Sequence, residues 1–506
     1  MRMLKRVIKI AAVIAAVIVV LFAGGAGVLY LAGFRILVDG GGTTSLHRPK
    51  SPEQQAADIA RHREAQRASA AAASAALPAP AESATAAPIA SANATSGAPE
   101  AATSPVPATP AYWTDFRGPA RDGHYRQRAI FTAWPASGLQ PMWKQPVGAG
   151  HASFVIADRR AFTSEQRAAE EVVAAYDVET GRELWTNIWQ ARFSDRGVGP
   201  RATPTWHDGT VYALGALGEL RALDADSGRV RWRTNILEDA GASNTSWGMS
   251  ASPLVVGDTV IVLPGGRNGR SVVAYDRHSG KRAWSALDDD AAYSSPMRVT
   301  LADLDHIIVF TATRLVGLSL DGGRVLWEHP WATDSGINPS QPLVIDGERL
   351  FVSTGYGMGA AMLAFTRDGE GVRELWRTNR MKNQFSSSVY HDGFIYGLDG
   401  AILACMDASS GELKWKGGRY GYGQVMLASG HLIVVTEDGQ LVLVRATPER
   451  HVEVASVAAL EGQTWNHPAM SEAISSFATA TKWRRTTCAA IGRPGDRPSV
   501  RAGDGC

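Results

Sequence analysis

Polar and aromatic side chains recur just before a set of short apolar runs, and they are the residues best suited to bind a ligand. Amide, guanidinium, ammonium and indole groups that converge on one concave face can hold an anionic ligand. The same residues can instead cap strand starts and solvate a channel mouth. This structural interpretation is favoured because carboxylates, the ligands that calcium needs, are sparse among them. The candidates are Arg201, Trp247, Asn338, Gln341, Lys382 and Asn383.

Three further residues have side chains that could bind a ligand or a metal, but turns explain them better. Glu165, in the stretch FTSEQRAAEE, could be a ligand, although a solvated hairpin charge accounts for it more simply. His207 and His391 each open an HDG turn in different repeats, which is not the spacing of a metal site. The sequence also has no HExxH motif. We therefore predict no catalytic residue and no metal ligand.

The composition favours an all-β repeat protein and argues against nucleic-acid binding. The chain has 506 residues, with 51 Lys and Arg against 49 Asp and Glu, and its formal net charge of +2 gives no basic excess for phosphate binding. Its 52 glycines and 15 tryptophans are typical of many Gly-rich turns with aromatic residues between them. The three cysteines (Cys405, Cys488 and Cys506) form no CxxC pair, and Cys405 lies in an apolar strand pattern that predicts burial.

A recurring ten-residue phrase supplies the elements that must position these side chains. YDVETGRELW (176–185) returns as LDADSGRVRW and YDRHSGKRAW and then in looser copies, with tryptophans 39 to 52 residues apart. We expect Asp to accept hydrogen bonds from turn amides two residues on, and Gly to adopt a left-handed backbone conformation. We expect Trp to fill the wedge between neighbouring repeats. The repeat residues are Asp177, Gly181, Trp185, Asp224, Gly228, Trp232, Asp276, Gly280, Trp284, Gly323, Trp327, Trp376, Asp407, Gly411 and Trp415.

A second recurring piece completes each repeat. It places Asp-Gly or Gly-Asp between two apolar runs, as in ATPTWHDGTVYALG (202–215), which indicates a hairpin. Three turns and four short strands in each repeat of this length form one blade of a β-propeller. Six clear repeats, a degenerate seventh (444–454) and an eighth shared between 140–148 and the chain after His467 predict eight blades, with seven as the alternative.

The N-terminal region is typical of a membrane anchor followed by a spacer. Residues 1–9 are basic, and residues 10–34 form an uncharged apolar run long enough for a transmembrane helix, which needs ~20 residues. The preceding cations predict a cytoplasmic N-terminus, and a cleaved signal peptide is the competing interpretation. Residues 35–110, rich in Ala, Pro and Ser, predict a disordered linker in which 53–76 is at most transiently helical.

The predicted propeller spans 111–470, and the repeat pattern stops there. Residues 471–506 lack alternation, the Gly-turn-Trp phrase and a recognisable closing strand. If this tail is genuine, we expect the last blade to be incomplete and the ring to be weakened at its seam. Two explanations stay open, which are a shift of reading frame in the gene and a divergent disordered tail.

The repeat phrase resembles that of the PQQ-repeat β-propellers over roughly 112–468, and the lead-in YWTDFRGPARDG (112–123) resembles the same family. The resemblance implies an all-β, eight-bladed propeller of four-stranded antiparallel blades. One branch of the family is the quinoprotein dehydrogenases, which bind pyrroloquinoline quinone (PQQ) and calcium. Resemblance to the alcohol dehydrogenases of this branch would imply a disulfide between adjacent cysteines. This sequence has no adjacent cysteine pair. The other branch comprises BamB-like scaffolds of the outer-membrane barrel assembly machinery.

The missing catalytic features favour the scaffold branch. We expect a single-pass protein of the bacterial inner membrane whose propeller lies in the periplasm and binds envelope proteins without a cofactor. The alternative is a PQQ-dependent dehydrogenase that oxidises alcohols or sugars with PQQ and Ca²⁺. If a cofactor binds, we expect it at the six candidates named above together with Glu165.

Overall fold

The protein is represented by a computed structural model, which describes residues 35–38, 44–47, 50–75, 113–135, 138–194, 197–366, 371–471, 474–478 and 487–491. Among these residues no helix is both long and apolar enough to cross a membrane. The predicted transmembrane segment, 10–34, lies outside them, as does the linker from 76 to 110.

The chain divides into one unit that ends at Gln55 and a second that begins at Ala56. In the first unit, β1 (Arg35–Val38) and β2 (Thr44–His47) form an antiparallel pair. Helix α1 (Pro52–Ala75) follows, and its Arg63 is buried. The segment predicted to be transiently helical thus forms a helix in the structure, and composition alone does not reveal that one of its polar side chains has buried partners.

Antiparallel sheets make up the described part of the second unit from β3 (His124–Tyr125) and β4 (Pro141–Pro146) onward. Six sheets take all four of their strands consecutively from the chain, and a seventh adds β3, paired in parallel with β29, to four consecutive strands. Their first strands contact one another, as β5 does β9 and β9 does β13, so the first strand of each sheet lies innermost. Sheet 1 consists of β5 (Val155–Ala157), β6 (Arg160–Arg167), β7 (Glu170–Asp177) and β8 (Glu183–Gln190), and sheet 2 of β9 (Thr205–His207), β10 (Thr210–Leu214), β11 (Glu219–Asp224) and β12 (Val230–Asn235), followed by helix α2 (Ile236–Ala240). Sheet 3 consists of β13 (Leu254–Val256), β14 (Thr259–Val262), β15 (Val272–Asp276) and β16 (Arg282–Ala286), and sheet 4 of β17 (Met297–Leu301), β18 (Leu304–Phe310), β19 (Arg314–Leu318) and β20 (Val325–Pro330). Sheet 5 consists of β21 (Leu343–Ile345), β22 (Arg349–Thr354), β23 (Gly359–Thr366) and β24 (Gly371–Thr378), sheet 6 of β25 (Val389–His391), β26 (Phe394–Asp399), β27 (Ile402–Asp407) and β28 (Leu413–Arg419), and sheet 7 includes β29 (Gln424–Ala428), β30 (His431–Val435), β31 (Gln440–Arg445) and β32 (Glu453–Ala458).

A further sheet, which we call the seam sheet, joins a strand that precedes sheet 1 to strands that follow sheet 7. It pairs β33 (Ala469–Ser471), β34 (Ile474–Ala478) and β35 (Thr487–Ile491) with β4 as its outer strand. The pairing of 140–148 with strands after His467 was predicted. The absence of a closing strand in 471–506 was also predicted and was wrong, because β34 and β35 lie in that range. Their short, small-residue stretches carry little alternation, so the sequence pattern did not reveal them.

The repeat tryptophans occupy the wedges between sheets, as predicted, and each packs on the turn of the next sheet. A Cβ atom on Gly228 of sheet 2 would lie 2.4 Å from Cε3 of Trp185 of sheet 1. The φ of Gly228 is +69°, a conformation that L side chains rarely adopt, so glycine is required twice over. The Trp185 indole also donates Nε1–H to the Ala225 carbonyl at 3.0 Å. Trp143 of β4 packs on Gly181 of sheet 1 in the same way, and its indole donates Nε1–H to the Val178 carbonyl. The contact between the seam sheet and sheet 1 is therefore the same as the contacts between the other sheets.

The repeat aspartates close these turns. Asp224 Oδ1 accepts from the amide of Ser227 at 3.0 Å and from its hydroxyl at 2.7 Å, and Asp177 accepts equivalently from Thr180. The acceptor therefore bonds three residues on rather than the predicted two, although Asp276 also reaches the His278 amide. The ion pair with Arg231 and the Ser227 bonds lower the pKa of Asp224. These side chains shape turns and leave chemistry to the inner ends of the sheets.

Candidate functional site

A chain of hydrogen bonds links the starts of the innermost strands. The Ser153 amide donates to Thr203 Oγ1 (2.9 Å), and the Thr203 amide donates to Ser252 Oγ (3.0 Å). The same step recurs from Ser252 to Ser295 (2.9 Å), from Ser295 to Gln341 (3.2 Å) and from Gln341 to Ser387 (3.0 Å). Each of these residues belongs to a different sheet, from sheet 1 to sheet 6. A short side chain at each strand start therefore binds its neighbour.

The chain of bonds closes through sheet 7 and the seam sheet. Gln424 Nε2 donates to the carbonyls of Phe385 (3.4 Å) and Trp465 (2.8 Å). Ser153 Oγ then donates to the His467 carbonyl at 2.6 Å. We call this circuit the polar ring; its members are Ser153, Thr203, Ser252, Ser295, Gln341, Ser387 and Gln424 with the backbone of Trp465 and His467.

Three of the predicted ligand-binding residues are committed to the fold. Gln341 belongs to the polar ring and also donates Nε2–H to the Ser295 carbonyl at 2.8 Å. The Asn338 side chain donates to the Thr311 carbonyl (2.9 Å), and the Asn383 amide contacts the hydroxyl of Ser388 at 2.8 Å. All three asparagine and glutamine side chains are almost completely buried. The geometry thus agrees with the strand-capping interpretation for these residues.

The lead-in segment 113–125, which we call the plug, lies against the innermost strands. Its main chain pairs with β5 at Ile156 and, through β3, in parallel with β29. Arg117 Nη2 donates to the Ser388 carbonyl at 2.7 Å, while Arg121 donates to carbonyls of sheets 3 and 4 and pairs with Asp115 at 3.0 Å. Both arginines are buried, and burial lowers the pKa of Arg117 to about 10. The plug therefore ties several sheets together from within.

Aromatic side chains cluster where the inner strands begin. In most sheets the residue two positions before the polar-ring residue is aromatic or cationic, because alternation along an extended chain returns to the same side. Ring contacts connect them across sheets, with centroids 5.5 Å apart for His151 and Trp465 and 4.8 Å for Phe385 and Trp465. Trp247 and Tyr293 stand edge to face at 5.8 Å. We call this cluster the aromatic mouth; it comprises His151, Arg201, Trp247, Tyr293, Tyr356, Phe385, Tyr422 and Trp465.

Two of the predicted residues, Arg201 and Trp247, lie in the aromatic mouth, and the sequence interpretation missed the others. Tyr293, Phe385 and Tyr422 lie, like the named candidates, just before short apolar runs. Each stands two residues before a Ser or Gln, and this spacing was the signal that could have found them. Tyr356 comes from the β22–β23 turn and is 40% exposed. No periodic signal marks that turn.

The aromatic mouth carries positive charge from Arg201. Its guanidinium lies 4.9 Å over the Phe193 ring and donates to the Gly199 carbonyl at 2.9 Å. Burial lowers the pKa of Arg201 to about 10, so it remains a cation at neutral pH. Burial and the nearby Arg201 lower the pKa of His151 to about 3, so that imidazole is neutral. Lys382, the remaining candidate cation, has its Nζ 4.0 Å from Asp399.

Glu165 is a buried network residue, which corrects its interpretation as a solvated hairpin charge. It is 2% exposed, accepts from the Tyr176 hydroxyl at 3.2 Å and forms an ion pair with Arg167. Arg167 and Tyr176 come from the same β6–β7 hairpin, and the third partner is the Gly148 amide. The strand pattern of the hairpin did not reveal that these polar groups lie on a buried face.

The remaining reactive or ligand-type residues have structural roles in turns or in the core. Asp208 and Asp392 follow His207 and His391 with positive φ, as expected in tight turns. Cys405 is fully buried as predicted, and burial raises the pKa of its thiol to about 12. Within the described ranges, no group of three or more His, Cys, Asp or Glu residues is placed to hold a metal ion.

Glu171 lies behind Arg201 and should make stability depend on pH. Oε1 accepts from the Ala216 amide at 2.9 Å, but Oε2 is buried without a hydrogen-bond partner among the described residues. Burial raises the pKa of Glu171 from its usual 4.5 to about 7. Folding therefore favours the protonated acid, and its stabilising effect is complete below pH 4.5 and lost as pH rises to 7.

We expect Glu171→Gln to raise the free energy of unfolding by about 1–3 kcal/mol at pH 8 and much less at pH 5, because the neutral amide avoids burying a charge. Urea unfolding of both proteins at the two pH values checks this, and the other titrating groups cancel in the difference. A difference that is equal at pH 5 and pH 8 would show that Glu171 does not titrate in this range.

Comparison with known proteins identifies the repeat region. The family of the outer membrane protein assembly factor BamB matches residues 168–417. BamB of Yersinia pestis is 23% identical over 274 residues, which cover 52% of this chain and 68% of that protein. Tetrathionate hydrolase of Acidithiobacillus ferrooxidans is 23% identical over 266 residues, 50% of this chain but only 44% of that protein.

Solved structures share the fold at low sequence identity. BamB from Moraxella catarrhalis is 15% identical with a TM-score of 0.50, covering 71% of this chain and 98% of that one. Quinohemoprotein alcohol dehydrogenase from Comamonas testosteroni is 16% identical with a TM-score of 0.56, covering 76% of this chain and 81% of that one. Such similarity establishes the fold alone. Together with the matched repeats, it supports a PQQ-like repeat β-propeller, with the family match covering residues 168–417.

Proposed function

We propose that the protein is a membrane-tethered periplasmic scaffold, that its sheets are the eight blades of one closed propeller, and that the aromatic mouth binds a protein partner. The observation that carries this proposal is the cluster of partly exposed aromatic side chains around one cation, Arg201. Tyr, Trp and Arg are the residues that most often dominate binding energy in protein interfaces. The relatives described as assembly factors support a partner of this class.

We propose that PQQ and calcium are not ligands of the aromatic mouth, because the residues available there are already engaged. Calcium needs ~6–8 oxygen ligands. The Gln341 amide oxygen accepts from the Ser295 amide, and the Asn338 oxygen accepts from the Thr354 hydroxyl. The carboxylate beside the mouth, Glu437, accepts from the Trp465 indole at 3.0 Å and from the Tyr422 amide at 3.1 Å. A metal there would have to break bonds that position the mouth itself.

A photo-crosslinking amino acid at Tyr356, incorporated in the full-length protein in cells, should capture one envelope protein. The same group at Leu304, which is 57% exposed on the β17–β18 hairpin, should not. The affinity of the captured partner for the double variant Tyr356→Asn/Trp247→Ser should fall at least tenfold, since interface anchors are worth ~2 kcal/mol or more each. Asparagine is chosen at 356 because it tolerates the positive φ of +50° found there.

Two results would overturn the scaffold proposal. One is equal capture from positions 356 and 304, which would mean that the mouth is not the binding surface. The other is dye-linked oxidation of alcohols or sugars after addition of PQQ and Ca²⁺, which would support the dehydrogenase alternative.

A further inference from the structure

The cleft between the seam sheet and sheet 1 holds an arginine from helix α1. Arg63 is 3% exposed, and its Nη2 donates to the Pro146 carbonyl at 2.8 Å. Its Nη1 donates to Gln145 Oε1 at 3.0 Å, and its Nε lies 3.2 Å from Glu183 Oε2. The guanidinium also stacks over the Tyr176 ring at 5.1 Å. We call this pocket the seam cleft; it is formed by Gln145, Pro146, Glu165, Tyr176 and Glu183.

The seam cleft is built to receive a cation. Glu165 and Glu183 both lie in it, and Arg167 bridges them, reaching Glu183 at 2.5 Å. Glu165 is held in place by the Gly148 amide and the Tyr176 hydroxyl, independently of the helix. Two largely buried carboxylates would share one arginine if Arg63 were absent. Because a buried charge without a counter-charge is strongly unfavourable, the cleft requires a second guanidinium.

The helix has little else to hold it in place. Of its residues 52–69, Ile59 and Arg63 are the two that are buried, and they are four positions apart on one face. The other side chains are polar or small and partly or fully exposed. A helix without an apolar stripe is not stable by itself in water, so its order depends on docking. His62 reinforces the contact by bonding Gln145 from the same turn.

We propose that the seam cleft is an internal binding site whose ligand is the arginine of a helix, and that docking of α1 there controls the free length of the linker. The chain between residue 34 and the docked Ile59 has 24 residues, whereas that between residue 34 and Trp113 of the plug has 78. Release would therefore lengthen the tether from 24 to 78 residues. This last step rests on the proposed membrane tether, but the binding site does not.

Hydrogen–deuterium exchange on the full-length protein tests the docking. In Arg63→Gln, amides of residues 57–69 should exchange at least tenfold faster than in the wild type, while β5–β8 stay protected. Arg67→Gln is the matched control because Arg67 lies one turn further along the same helix and is exposed. Equal protection of 57–69 in Arg63→Gln and wild type would overturn the proposal. Arg63→Lys, which keeps the charge but loses the forked donor, should exchange at an intermediate rate and serves if Arg63→Gln fails to fold.

A labelled peptide of residues 50–75 tests the site directly. It should bind the Arg63→Gln protein, whose cleft is vacant, at least tenfold more tightly than it binds the wild type. The same peptide carrying Arg63→Gln should not bind. Equal binding by the two peptides would overturn the proposal. Neither measurement involves the membrane or a partner protein, so failure of this site and failure of the scaffold function are distinguishable.

Discussion

Replacement of Arg121 by alanine should lower the free energy of unfolding by about 3–5 kcal/mol, the range for breaking a buried ion pair. The Arg121 guanidinium is 2% exposed and lies 3.0 Å from Asp115 Oδ1. It also donates to the Pro296 carbonyl at 2.8 Å and the Ser252 carbonyl at 3.2 Å. Alanine would leave a carboxylate without its counter-charge and carbonyls of two sheets without donors.

Urea or thermal unfolding of the two proteins measures the loss. Arg126→Ala is the matched control, because Arg126 directly follows the plug and pairs with Asp122 at 2.6 Å but is largely exposed. Exposed pairs contribute ~0–1 kcal/mol, so the control should unfold almost as the wild type does. Similar losses for the two variants would mean that the plug does not tie the sheets together.

Trp232→Ala should cost about 3–5 kcal/mol, as large-to-small changes at buried aromatic positions do. The Trp232 indole fills the wedge between sheets 2 and 3 and donates Nε1–H to the Arg277 carbonyl at 2.8 Å. It also contacts Tyr212, with ring centroids 6.1 Å apart. Trp232→Phe keeps much of the packing but removes the hydrogen bond, so it should lose less.

A double-mutant cycle with Gly280 tests the contact itself. A Cβ at Gly280 would lie 2.7 Å from the Trp232 ring, and the φ of +70° adds backbone strain. Gly280→Ala should therefore be costly in the wild type and clearly less costly in Trp232→Ala, where only the strain remains. Additive losses from the two changes would show that the glycine is not there to admit the indole.

The sequence predicted the repeated contacts because each of them is local or recurs. The phrase around Asp224 and Gly228 contains its own turn bonds, and the wedge role of Trp185 follows from its repetition. The recurring positions in the sequence also revealed part of the aromatic mouth. Arg201 and Trp247 were named, whereas Tyr293 and Phe385 were passed over although they share a spacing with Arg201.

What the sequence did not reveal depends on residues far apart in the chain. Glu183 is an ordinary hairpin residue until Arg63, 120 positions earlier, is placed beside it. Likewise, β35 has no repeat phrase, and its pairing with β4 depends on ring closure. The periodicity within a segment cannot predict such contacts, because they depend on residues elsewhere in the chain.

The polar ring has a consequence for how such a chain can grow. In the five steps from sheet 1 to sheet 6, each strand-start amide donates to the next sheet's side chain, so each of sheets 2 to 5 presents a donor to one neighbour and an acceptor to the other. A duplicated sheet inserted among them would find matching partners on both sides. The junctions around Gln424 and the seam sheet use a different pattern. Gene duplication can therefore change the number of sheets among sheets 1 to 6, whereas the junction at which β4 pairs with β35 is unique.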